Sequence, residues 1–140
     1  MTARRQEYQS ESIEVTFDPG KCIHSAFCLR GAPDVFDVSR RRWIRPELAD
    51  ADRVAMVVQR CPSGALTYKR LDGGDDERPR SPAAILPAPN GPLHIRGDIL
   101  LLDNDGQPVE AMTRVTLCRC GQSARKPFCD NSHLRTGFAS

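Results

Sequence analysis

The sequence predicts an α+β protein built from two small units, and three observations carry that expectation. The first is size: 140 residues with 39% hydrophobic and only 6% aromatic side chains furnish one ordinary domain or two very small ones. Domains of about 50–60 residues are marginal without an added staple. The second is a change of texture at residues 71–92, where Gly73-Gly74, the charged run Asp75-Asp76-Glu77-Arg78 and five prolines read as a linker. The third is the placing of the six cysteines, with Cys22, Cys28 and Cys61 before that stretch and Cys118, Cys120 and Cys129 after it. The expected division is a first domain over 13–70, a linker over 71–86 and a second domain over 87–140.

Taken in order, residues 1–11 are polar and charged and are expected to fray. Ile13, Val15 and Phe17 alternate with Glu14, Thr16 and Asp18, the pattern of a half-buried strand, and Asp18-Pro19-Gly20 signals a turn. A short helix is expected over 25–30, stopped by Gly31 and Pro33. Two short strands, 35–37 and 43–45, should flank an Arg-rich turn. Asp50 or Asp52 is a plausible N-cap for a helix whose Val54, Val57, Val58 and Cys61 fall at i, i+3, i+4 and i+7, one face of a 3.6-residue period. Pro62 stops it, and 65–69 reads as a closing strand. In the second domain β-like segments fall at 93–97, 99–103 and 114–118, with Asn104-Asp105-Gly106 as a tight turn. The remainder, punctuated by Gly121, Ser123, Pro127 and Asn131, reads as loop.

Composition narrows function. The formal net charge of +2 is too small to argue for nucleic acid, although seventeen of the 20 basic residues are Arg. The apolar runs 54–58 and 99–102 are far shorter than the ~20 residues of a membrane helix. No apolar segment follows the charged residues 1–7, so a secretory signal is not expected. A cytoplasmic protein without membrane or nucleic-acid partners follows, and in a reducing compartment cysteines are more often metal ligands than disulfides. No Ser-His-Asp set, phosphate-cradling Gly loop or paired carboxylates stands out, so the chain does not read as an enzyme.

In the second cysteine group, Cys118-x-Cys120, Cys129 and, four residues on, His133 offer three thiolates and an imidazole. Thiolates suit iron–sulfur clusters and zinc alike, but zinc pairs usually have two to four intervening residues. Residues i and i+2 of a strand share a face, so Cys118 and Cys120 can serve one iron while Cys129 and His133 serve another. The run from Cys118 to His133, with Ser123, Pro127-Phe128 and Cys129-Asp130-Asn131-Ser132-His133, resembles the CDGSH iron–sulfur domain of the mitoNEET type. The resemblance implies a β-rich fold, a [2Fe–2S] cluster held by Cys118, Cys120, Cys129 and His133, and a homodimer. Asn131 stands where that family usually has Gly. Asn is the next best residue at positive φ, so the turn is expected to survive. Arg119, Arg125 and Lys126 would favour the more negative, reduced cluster.

The first group has Cys22 and Cys28 six apart, with Cys61 followed by Pro62. Bacterial ferredoxins carry C-x2-C-x2-C-x3-C-P, and here the middle position is Ser25. The stretch 22–28, with Cys61-Pro62-Ser63-Gly64-Ala65-Leu66, resembles the divergent single-cluster 4Fe–4S ferredoxin family. That implies a small ferredoxin-like α+β domain with a [3Fe–4S] cluster, or a [4Fe–4S] cluster whose fourth ligand is His24 or Ser25, His24 being chemically better. Three buried structural cysteines are the alternative, since Cys is often buried for packing alone.

Other residues carry less. His94, on an alternating strand, is expected to point outward. Trp43 suits a core plug better than an electron conduit. Arg40, Arg41, Arg42 and Arg45 form either a solvated turn or a patch that steers an acidic redox partner. The expectation is a two-cluster protein that transfers electrons to a redox partner, each cluster doubling as a structural staple. The alternative is storage, delivery to an apo-acceptor protein, or redox sensing through a labile His-ligated [2Fe–2S] cluster, since a neutral imidazole can be protonated off iron.

Overall fold

The computed structural model describes residues 4–140. Its packing forms an N-terminal unit from the residues up to Gly20, His24–Cys61 and Ala65–Glu77, and a C-terminal unit from Lys21–Ile23, Pro62–Gly64 and Arg78–Ser140. Each unit holds a three-stranded antiparallel sheet, with short helices in the N-terminal unit and one in the C-terminal unit, which is the α+β organisation expected.

In the N-terminal unit β1 (Gln6–Gln9), β2 (Ile13–Phe17) and β3 (Leu66–Arg70) lie in that order. The alternation of β2 buries Ile13 and Val15 completely. Helix α1 (Phe27–Gly31) precedes α2 (Ala51–Gln59), and Asp50 caps α2 by accepting from the Arg53 amide at 2.9 Å, satisfying one orphan donor of the first turn. Val54, Val57 and Val58 form its buried face, packed on β3. The helix ends at Gln59, so Cys61 lies just past it, its amide still bonded to the Val58 carbonyl at 3.0 Å. Gly31 lets α1 approach α2, since a Cβ there would stand 3.2 Å from both Val57 methyl carbons.

Several expectations change. Residues 1–3 of the tail expected to fray lie outside the described residues, but Gln6–Gln9 is a strand paired with β2. An edge strand of sequence QEYQ has no apolar alternation to reveal it, and its one inward group, Tyr8, packs against Trp43 with ring centroids 6.4 Å apart. Trp43 also meets Phe17 at 5.0 Å and Phe36 at 6.1 Å, so it plugs the core. The two strands around the Arg-rich turn shrink to a single bridge between Phe36 and Ile44. Arg40 folds over that turn and donates to the carbonyls of Asp34 at 3.0 Å and Val35 at 2.7 Å. Arg42 pairs with Glu47 at 2.7 Å. Arg41 and Arg45 remain exposed.

In the C-terminal unit β4 (Ala84–Pro87), β5 (Leu93–Leu102) and β6 (Pro108–Leu117) lie in that order. The two segments expected at 93–97 and 99–103 are one strand with a bulge between Arg96 and Ile99. Gly106, at φ 79, closes the β5–β6 turn. Ala84–Pro87, expected to fall largely in the linker, pairs with β5, and a short helix α3 (Ser132–Thr136) interrupts the expected final loop. The unit's interior is largely polar: Arg114, Thr116, Lys21, Ser63, Ser123 and Ser132 are buried beside Val115 and Cys129. Lys21 is neutralised by Glu110 at 2.6 Å and stands 5.7 Å from the Phe128 ring centroid. Gly64, at φ 73, lies so close to β6 that a Cβ would overlap the Arg114 carbonyl oxygen.

His94 does not point outward as expected. Its Nδ1 lies 2.8 Å from Thr116 Oγ1, half-buried, and Thr116 Oγ1 donates to the Pro62 carbonyl at 2.9 Å. A hydroxyl has one proton, so the network assigns Nδ1–H as the donor to Thr116. Burial, with the like charge of Arg96 added, holds His94 below the ordinary imidazole value. The unfolded chain, at about 6.5, therefore binds this proton more readily than the folded one. The contribution to stability is full above that value, declines as pH falls below it, and levels off beneath the lowered folded value. The urea midpoint should fall between pH 8 and pH 5, and His94→Gln should flatten the slope; an equal slope in the variant would assign the titration elsewhere.

Candidate metal centres

The C-terminal site starts where β6 ends. Leu117 and Phe128 form an antiparallel bridge, with the Cys118 amide donating to the Pro127 carbonyl at 2.8 Å and the Cys129 amide to the Thr116 carbonyl at 3.0 Å. The pairing folds residues 119–127 back and sets Cys129 beside the end of β6, which Cys118 follows. Cys118 Sγ then lies 3.8 Å from Cys120 Sγ, and Cys129 Sγ lies 3.7 Å from His133 Nδ1. Asn131 at φ 69 caps α3, and its amide donates to Cys129 Sγ at 3.3 Å.

Three residues lock the loop. Ser123 Oγ donates to the Phe128 carbonyl at 2.5 Å. Arg125 Nη2 donates to the Cys129 carbonyl at 2.7 Å. The Asp130 carboxylate accepts from Ser132 Oγ at 2.5 Å, Ser132 N at 3.0 Å and Ala124 N at 2.9 Å. The Ser132 hydroxyl first, then the Ala124 amide, lower the Asp130 carboxyl to about 2, so it is anionic at any physiological pH. Arg119 holds the neighbouring turn through the Gly91 carbonyl at 2.8 Å and the Ala88 carbonyl at 2.7 Å.

The thiols differ in setting. Burial opposes ionisation of Cys118, but the backbone N–H groups of Ser123, Gly121 and Gln122, with Cys120, together hold it below the ordinary thiol value. Burial pushes the Cys129 thiol up. The donors are grouped as two pairs. One metal in a tetrahedral site needs all its donors at one point, whereas a two-iron cluster takes one pair per iron. The residues present fit the latter.

In the first group, Cys22 lies in Lys21–Ile23, which packs within the C-terminal unit, and its carbonyl accepts from Arg125 Nη2 at 3.0 Å. Cys28 lies in α1 and Cys61 beyond α2, in the N-terminal unit. His24 and Ala26 take left-handed φ of 57 and 64. Ser25 offers its carbonyl to Arg30 Nη2 at 3.1 Å.

A family model described as a divergent 4Fe-4S mono-cluster matches residues 8–71, and one described as an iron-binding zinc finger of CDGSH type matches residues 90–134. The chain thus carries one segment similar to each family. The divergent 4Fe-4S domain and the CDGSH domain follow in the order expected, and together they make this an iron–sulfur protein. Two relatives named "Uncharacterized protein YjdI", from Escherichia coli K12 and O157:H7, are each 42% identical to it over 62 residues, 44% of this chain and 82% of theirs. Among the described residues no helix is long and apolar enough to cross a membrane.

Sequence reasoning matched Asp130 within the CDGSH motif but gave it no role; an acidic residue between a ligand and a Ser was the available signal. Asp130→Ala should leave the Ala124 and Ser132 amides without their acceptor, so their hydrogen exchange should accelerate by about tenfold. Unchanged protection would show that the loop is held without the carboxylate.

Proposed function

We propose that this protein is a small two-cluster electron carrier and not an enzyme, with a ferredoxin-like N-terminal domain. The reading gives the C-terminal site a [2Fe–2S] cluster on Cys118, Cys120, Cys129 and His133. It gives the N-terminal site a [3Fe–4S] or [4Fe–4S] cluster on Cys22, Cys28 and Cys61, with His24 as the candidate fourth ligand. The observation that carries it is the pairing of donors across the Leu117–Phe128 bridge. When bound, such clusters supply reversible one-electron chemistry. The protein's part is to stabilise sulfur charge: N–H groups of residues 121–123 reach Cys118, and the Asn131 amide reaches Cys129. Hydrogen bonds to the sulfurs tune potential. Gly121, Gln122, Ala124, Lys126 and Pro127 are exposed, which offers a redox partner protein an approach to the loop.

The test is metal content. Protein purified anaerobically should contain about five or six iron atoms per chain, with EPR separating the two clusters; stoichiometric zinc in a colourless sample would sink the reading. Delivery of the [2Fe–2S] cluster to an apo-acceptor protein is the second reading. It is favoured by one observation: His133 is half-exposed while Cys129 is buried. Rapid cluster loss to an apo-acceptor supports it, and a retained cluster with fast electron exchange supports the carrier. A second copy is also proposed as partner, because Ile85, Leu86, Leu100 and Val109 of the C-terminal sheet are each more than half exposed, apolar side chains that suit association. Sedimentation as a ~15 kDa monomer at high concentration, the mass of one chain, would remove that element. A cytoplasmic setting belongs to the same reading.

A further inference from the structure

Two side chains of the C-terminal ligand loop reach a segment that the CDGSH motif does not contain. Asn131 Nδ2 donates to the Ile23 carbonyl at 2.8 Å. Arg125 Nη2 donates to the Cys22 carbonyl at 3.0 Å and to the Cys129 carbonyl at 2.7 Å. One guanidinium nitrogen thus spans the backbone of two cysteines 107 positions apart in the chain. All of these residues pack within the C-terminal unit.

The choice of residue at 131 sharpens the point. Its φ is 69, a conformation glycine adopts at least cost, and the backbone amide contact to Cys129 Sγ would be made by glycine equally well. What the Asn side chain adds is the bond to Ile23. The two carbonyls belong to consecutive residues, so the pair of donors fixes both the position and the orientation of the peptide that follows Cys22. A ligand held by hydrogen bonds before metal arrives has less conformational entropy left to lose on binding.

We infer that Asn131 and Arg125 are positioning residues for Cys22, so that the ligand loop of the C-terminal cluster presets a ligand of the N-terminal one. This rests on the two-cluster reading and adds a direction of dependence to it: an ordered C-terminal loop favours retention of the N-terminal cluster, through backbone carbonyls and not through shared metal.

The test uses the full chain and two variants. Asn131→Gly keeps the left-handed turn and removes only the side-chain donor; Arg125→Gln shortens the reach to Cys22. Loss of each cluster to a ferrous chelator is followed by EPR and visible absorbance. In Asn131→Gly the N-terminal cluster should be lost about fivefold faster, the worth of one neutral hydrogen bond, while the rate for the C-terminal cluster is unchanged. Arg125→Gln should accelerate the same loss further, a charged donor being stronger. In metal-free protein, hydrogen exchange at residues 22–24 should also quicken in both variants. Because Arg125 also holds the Cys129 carbonyl, the selectivity is read in Asn131→Gly: equal acceleration of both clusters in that variant would show general loosening and overturn the inference, as would unchanged exchange at 22–24. A wild-type chain that binds no iron yet shows faster exchange in the variants would overturn the cluster reading and leave the clamp standing.

Discussion

The antiparallel pairing of Leu117 with Phe128 is the constraint on which the C-terminal unit depends. Two short backbone bonds, Cys118 N to Pro127 O and Cys129 N to Thr116 O, convert a run of turn-forming residues into a closed loop. Every other feature of the site is measured from that closure. Ser123 and Arg125 bond to carbonyls just beyond it, and Asp130 ties the middle of the loop to the start of α3. Closing a loop of this length exacts an entropic cost that one bridge alone would offset poorly. The added side-chain bonds hold the two donor pairs in place.

The two units reach stability by different means. The N-terminal unit buries Ile13, Val15, Val35, Phe36, Ile44, Val54 and Val58 almost completely, a contiguous apolar interior between sheet and helix. The C-terminal unit buries Arg114, Thr116 and Ser123 in comparable measure and few apolar side chains. Buried polar groups hold a fold only when each is satisfied. The result is a unit whose order is spread over specific hydrogen bonds, such as His94 to Thr116 to Pro62. A unit of this kind gains most from a metal staple, because metal–ligand bonds add free energy that apolar burial does not supply.

What was legible in the sequence follows the same division. Elements that bury an apolar face declared themselves: Ile13 and Val15 on β2, and Val54, Val57 and Val58 on α2, whose cap is the first of the two aspartates the sequence offered, Asp50. The cysteine spacing and the Cys129–His133 run declared the motifs, and both family matches agree with what those motifs resemble. The rest left no periodic trace. β1 is polar on both faces, β4 is hidden among prolines, and α3 is a single turn. His94 read as a surface residue because alternation locates faces but not what covers them; its cover is Thr116 and the segment containing Pro62. Arg40 read as a solvated charge because its partners are carbonyls, which every sequence has.

Backbone strain adds the last link between fold and metal. The non-glycine residues at left-handed φ are His24, Ala26, Asn90 and Asn131 among those described. Three of them lie in the cysteine-bearing segments, and Asn90 adjoins Gly91, whose added Cβ would stand 3.6 Å from His133 Nε2. Such a conformation costs an L-residue roughly 1–2 kcal/mol, least for Asn, whose short polar side chain bonds locally. Asn90 and Asn131 recover part of that cost by bonding to Ser140 and Ile23. Ala26 has no polar side chain with which to do so, and the loop 22–28 contains no glycine to relieve it. A segment whose own propensities oppose its shape must be held by bonds that form only in the folded state. Under the proposed two-cluster reading, thiolate–metal bonds would be among those bonds, and strain gathered at the cysteines would couple folding to metal binding.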